Sequence, residues 1–160
     1  MKSEDTQAVS RSAANILLIS PFADDHQHLH DILKYSDFQQ QGARTQNEAF
    51  EFLRENITPV VICETKLPDG DWQDVLGRLD RMPCPPLLIV TSRMADDRLW
   101  SEVLNLGGYN VLAKPLNMQE VFHVTGGAWM AWKRARGVET SLDMARVCAS
   151  ATYATLSAAG

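Results

Sequence analysis

The stretch VVICETKLPDGDW, Val60 to Trp72, carries the pattern that decides the fold. Four apolar residues run directly into one carboxylate, Glu64, and a Leu-Pro-Asp-Gly turn then takes the chain away from it. An uninterrupted apolar run predicts a strand buried on both faces, and such a strand needs cover above and below. Asp71-Trp-Gln-Asp74 follows with the form of a capping box and predicts a helix that buries Val75, Leu76 and Leu79.

The same unit repeats on both sides. Upstream, a polar lead over 1–14, expected to be disordered, gives way to NILLIS, a short buried strand. Asp24-Asp25 then serve as N-cap residues for a helix over about 25–35, with Leu29, Ile32 and Leu33 at helical spacing. A strand is due in FQQQGAR, although its pattern is weak. Thr45-Gln-Asn-Glu48 opens a second helix, ending near Asn56, with Ala49, Phe50, Phe52 and Leu53 on its apolar face.

Downstream, MPCPP punctuates and LLIV makes a fourth strand. DDRLWSEVLNLGG supplies a helix with Leu99, Val103, Leu104 and Leu106 inward and Gly107-Gly108 as its stop. NVLAKP is a fifth strand closed by proline, and Asn117-Met-Gln-Glu120 starts a last helix that Gly126-Gly127 bends or interrupts before Trp129 and Trp132. Five strands alternating with five helices define a doubly wound α/β fold, flavodoxin-like, with a five-stranded parallel sheet over 15–136. A small, polar C-terminal tail with room for some helix occupies 137–160.

At 160 residues, 45% hydrophobic and 22% charged, the chain suits one domain, and its formal charge of -5 argues against a nucleic-acid surface spread over the molecule. Cys63, Cys84 and Cys148 have neither disulfide-framework nor zinc-ligand spacing, which predicts a cytoplasmic chain. The N-terminus lacks the apolar core of a signal peptide, and no window approaches the ~18 apolar residues that span a bilayer. Neither membrane nor nucleic acid is an expected partner.

In a doubly wound sheet the functional crevice lies at the carboxyl ends of the strands. That places Ser20-Pro21, Glu64, Thr91-Ser92 and Lys114-Pro115 together. In order and spacing these strand ends resemble the receiver domain of response regulators, the CheY-like family, over roughly Asn15 to Arg134. LAKPL after an amphipathic helix ending in Gly-Gly is the most specific part. A receiver takes a phosphoryl group onto an aspartate beside a divalent metal held by an acidic pair after the first strand. A Thr or Ser and a Lys contact the phosphoryl oxygens.

The resemblance puts Glu64 at the phosphoacceptor position, Thr91 and Lys114 at the phosphoryl-contact positions, Ser20 and Pro21 at those of the acidic pair, and Val111 at the aromatic switch position. Magnesium usually takes one or two carboxylates, which a hydroxyl and a proline cannot replace, so Mg²⁺ binding is expected to be lost or weak and no cofactor is expected. Losing the metal and lengthening the acceptor by one methylene removes most of the phosphoryl-transfer rate. Two readings of Glu64 follow. It mimics an aspartyl-phosphate by pairing with Lys114 while Thr91 donates its hydroxyl, or it is half solvated without any activated state. Val111 has no ring to rotate, which weakens the first.

Other polar and aromatic residues have simpler roles than chemistry. Asp24, Asp25 and Asp69 to Asp71 suit capping and turns better than a displaced metal site. His26, His28 and His30 read as a solvated helix surface, Cys63 as core, and Lys133, Arg134 and Arg136 as a helix end whose tryptophans dock on the sheet. Trp100, with Tyr109 and Val111, forms a candidate partner-binding face. The expectation is a stand-alone degenerate receiver, a pseudo-receiver: a non-enzymatic module that binds a protein of a two-component-type pathway, or a second copy as a homodimer, without phosphorylation. A phosphorylatable phosphorelay component is the alternative, and a small flavodoxin-like enzyme using Cys63 or Glu64 is the third reading.

Overall fold

The computed structural model describes residues 15–137. The expectations for the 1–14 lead and for the tail beyond Gly137 fall outside the described residues. The chain alternates through β1 (Asn15–Ile19), α1 (Ala23–Leu33), β2 (Gln39–Ala43), α2 (Gln46–Glu55), β3 (Val60–Glu64), α3 (Trp72–Asp80), β4 (Leu87–Ser92), α4 (Asp97–Leu106), β5 (Asn110–Ala113) and α5 (Met118–Arg136). The five strands are parallel in the order β2-β1-β3-β4-β5, the flavodoxin-like order. A two-residue antiparallel ladder, Lys66–Leu67 against Gly70–Asp71, closes the turn after β3.

Strand alternation divides the core into two layers. Leu17, Ile19, Val61, Cys63, Leu88, Val90 and Val111 face α2, α3 and α4, where they meet Phe50, Leu53, Val75, Leu79 and Val103. Ile16, Leu18, Val60, Ile62, Ile89 and Leu112 face α1 and α5, where they meet Leu29, Ile32, Val121, Val124 and Ala128. β3, flanked by β1 and β4, is buried along its whole length, and this is why it reads as unbroken apolar sequence. The weak strand forms as well: among the described residues β2 is an edge strand bonded only to β1, so Gln39, Gln40 and Gln41 remain at least partly open to solvent.

The helix ends follow local chemistry at most positions. Asp71 and Asp74 form the reciprocal capping box, Thr45 accepts from Glu48 N, and Asn117 accepts from Glu120 N. Asp69 adds a cap from a distance, its carboxylate accepting the backbone N–H groups of Gln46 (3.0 Å) and Asn47 (3.1 Å) at the start of α2. Gly70 (φ 150) lies between these parts, and a side chain there would strike Gln46 and Asp74.

Three expectations need correction. Asp24-Asp25 do not cap α1: the N-cap is Phe22, without a side-chain bond, and Asp25 lies inside the first turn with its carboxylate turned inward. Gly126-Gly127 do not interrupt α5, which runs 19 residues without a break. Gly127 instead leaves room for Tyr109, whose hydroxyl would lie 2.7 Å from a Cβ at that position. Leu104 and Leu106 are not inward, being 37% and 51% exposed. Val103 is the residue α4 buries, and a helix turns ~100° per residue, which swings Leu104 off that face; Leu106 ends the last turn.

At the opposite edge of the sheet from the carboxyl ends, Trp132 is fully buried against Ile57, Cys84 and Leu87 and stacks on Trp129 at 6.1 Å. Its indole N–H donates to Pro85 O, which also accepts from Arg136 Nη2, so the tryptophans dock as expected and Arg136 serves that contact. Leu79→Ala should cost about 2–5 kcal/mol in urea unfolding, whereas Leu106→Ala should stay within about 0.5 kcal/mol. A comparable loss at both positions would contradict this placement of α4.

Candidate functional site

Parallel strands bring their carboxyl ends to one rim, and the register places Glu64 directly opposite Thr91 across β3 and β4. Ser20 follows β1, and Lys114 follows β5 with a cis peptide bond to Pro115. Four of the sequence-derived positions, Ser20, Glu64, Thr91 and Lys114, therefore share this rim, and their polar groups are largely closed off from solvent.

The centre of the site is an ion cluster. Lys114 Nζ donates to Asp25 Oδ2 at 2.9 Å and pairs with Glu64 Oε2; the three side chains are only 7–9% exposed. Ser20 Oγ, itself buried, donates to the same Asp25 oxygen at 2.6 Å, and Thr65 Oγ1 donates to Glu64 Oε1 at 3.0 Å. Glu64 Oε2 has no partner other than the ammonium among the described residues. The Phe22 ring, half exposed, lies over Lys114 with its centroid 4.9 Å from Nζ and forms the outer wall.

The Glu64 to Lys114 contact of the mimic reading is present. The half-solvated reading of Glu64 is overturned, because the residue is 7% exposed. The donation from Thr91 is also absent, since its hydroxyl is buried with no partner among the described residues. Pro21 contributes no donor and no charge. Val111 is buried in the core layer beneath α4 and belongs to no exposed face, which corrects its grouping with Trp100; Tyr109 is half-buried as well. Of that face Trp100 remains, 49% exposed, its indole N–H bonded to Asn110 Oδ1 at 3.2 Å.

Asp25, which the sequence offers for a displaced metal site and better as a helix cap, takes neither role and instead belongs to the site. The only signal for it was a carboxylate one position from its exposed neighbour Asp24, inside a helix whose own start lacks a side-chain cap. Its true partner lies 89 residues away. The remaining candidates separate cleanly. Asp69 and Asp71 cap helices. His28 and His30 are exposed, while His26 Nε2 bonds Ser20 O at 2.8 Å. No group of three metal-ligating side chains exists among the described residues. Cys63 is fully buried, and burial first, then the charges of Glu64 and Asp71, push its thiol far above the ordinary range, which leaves no nucleophile there. The carboxylates available to a cation at the rim, Asp25 and Glu64, are both engaged by Lys114.

No family model matches this chain, and no curated protein matches it in sequence. Its fold is nevertheless that of response-regulator receiver domains. The signal receiver domain of an HD domain-containing protein from Pseudomonas fluorescens superposes with a TM-score of 0.70 at 25% identity, over 77% of this chain and 91% of that one. The receiver domain of a putative LuxO repressor protein from Vibrio parahaemolyticus gives 0.69 at 18% identity, over 76% and 94%. A putative response regulator from Chloroflexus aurantiacus gives 0.68 at 18% identity, over 73% and 98%.

A buried charge that loses its partner is costly, so Lys114→Met should destabilise the protein by about 3–5 kcal/mol in denaturant titration. Thr91→Val replaces an unpaired buried hydroxyl with a methyl of similar shape and should be within about 1 kcal/mol of neutral, on either side. A clear loss on Thr91→Val would show that the hydroxyl has a partner after all.

Proposed function

We propose that this chain is a degenerate receiver, a protein-interaction module of two-component-type signalling that is not phosphorylated and acts in the cytoplasm without enzymatic activity. The observation that carries the reading is the engagement of Lys114. In the receiver scheme that lysine meets an incoming phosphoryl group, whereas here its ammonium is held between Asp25 and Glu64.

The divalent ion of the receiver scheme does not fit this donor set. Ser20 offers a hydroxyl that is already donating, Pro21 offers nothing, and the two carboxylates within reach share one ammonium. Glu64 also makes a poor acceptor, because its oxygens receive Thr65 and Lys114 and its side chain is 9% exposed. With no aromatic ring at Val111 to swing between two positions, a change at the rim has no evident route to the surface through that residue.

The partner surface we favour is α4. Trp100, Leu104 and Leu106 are all exposed on it, and Trp and Leu side chains of this kind supply the apolar centre of protein interfaces. A protein of the same pathway is the partner in this reading, and a second copy is the alternative.

Incubation with acetyl phosphate and Mg²⁺ followed by intact-mass measurement should leave the mass unchanged. A gain of about 80 Da, lost on Glu64→Ala, would favour the phosphorylatable reading instead.

A further inference from the structure

We propose that Lys114 is the resident cation of this site: its ammonium, seated by Asp25, occupies the place between two buried carboxylates that would otherwise take a divalent ion. The inference rests on the degenerate-receiver reading and extends it by saying what replaced the metal and which residue made the replacement stable.

Asp25 Oδ2 and Glu64 Oε2 contact the same Nζ, so they are no farther apart than two such contacts placed end to end. Ser20 Oγ and Thr65 Oγ1 stand against these carboxylates at 2.6 and 3.0 Å. Thr91, 1% exposed, adds a hydroxyl without a partner among the described residues, on the residue directly opposite Glu64. With the Lys114 ammonium removed, two anionic and several neutral oxygens would line this closed space, the donor type that hard divalent cations select. The cluster also carries two negative charges against one positive, so its electrostatics favour more cationic charge than an ammonium brings.

What keeps such an ion out is the tether. Lys114 is covalently part of the rim and competes for the carboxylates intramolecularly, at an effective concentration set by the fold. Phe22 covers it on the outer side. Asp25 is the positioning residue. It comes from the first turn of α1, not from a strand end, and supplies the second carboxylate that Ser20 and Pro21 do not.

The test uses the full chain as wild type, Lys114→Met, and Lys114→Met with Asp25→Asn, each titrated with Mn²⁺ by calorimetry and by the electron paramagnetic resonance signal of the free ion. Lys114→Met should bind one Mn²⁺ at least tenfold more tightly than wild type, and adding Asp25→Asn should return binding to the wild-type level. Equal binding by wild type and Lys114→Met overturns the proposal, as does tight binding that survives Asp25→Asn. If Lys114→Met is only partly folded, its melting temperature decides: Mn²⁺ should raise it, because the ion binds the folded form, and should not raise that of the double variant. No rise in Lys114→Met overturns the proposal. Phosphorylation of the wild type by acetyl phosphate would end the degenerate-receiver reading without deciding this titration, so the two fail separately.

Discussion

One ammonium between two carboxylates organises the rim of this molecule. Lys114 leaves β5, Asp25 belongs to the first turn of α1, and Glu64 ends β3, so a single cluster joins three elements that are distant in sequence. Buried ions are tolerated only when paired and hydrogen-bonded, and the supporting hydroxyls of Ser20 and Thr65 meet that requirement. The cluster therefore constrains its neighbours: Ser20 is bonded from several sides, and His26 reaches its carbonyl.

The other end of the sheet is held by different physics. Trp132, fully buried, fills the space beneath Ile57 and Leu87, and Arg136 lies over its ring at 4.8 Å while donating to Pro85 O. Aromatic area and one shared carbonyl do there what charge does at the rim. Between the two ends the layers are ordinary apolar packing, with Val90 and Ile89 pointing to opposite helical layers from adjacent positions.

A receiver fold without the usual acidic pair still has to solve the electrostatics of its crevice. Asp25 and Lys114 solve it internally. Among the described helices α4 is the least covered, burying Val103 and exposing Trp100, Leu104 and Leu106. In the proposed reading the crevice is a structural fixture, and the interaction surface works without being switched by it.

The order of strands and helices was readable from sequence because each depends on neighbours in the chain. VVIC and LLIV had to be central strands, since only strands covered on both faces are apolar throughout, and Asp71-Trp-Gln-Asp74 had to cap a helix, since its bonds close within four residues. Glu64, Thr91 and Lys114 were found by the same logic, as residues standing at the ends of apolar runs. What lay beyond the sequence were the choices made by partners far along the chain. Leu104 faced outward because Val103 took the buried face of α4, and Thr91 stayed unbonded among the described residues. Above all, Asp25 became part of the site because the fold brought Lys114 to it. A cap or a strand period is a local property, whereas the pairing of two charges 89 residues apart exists only once the sheet has set the distance between them.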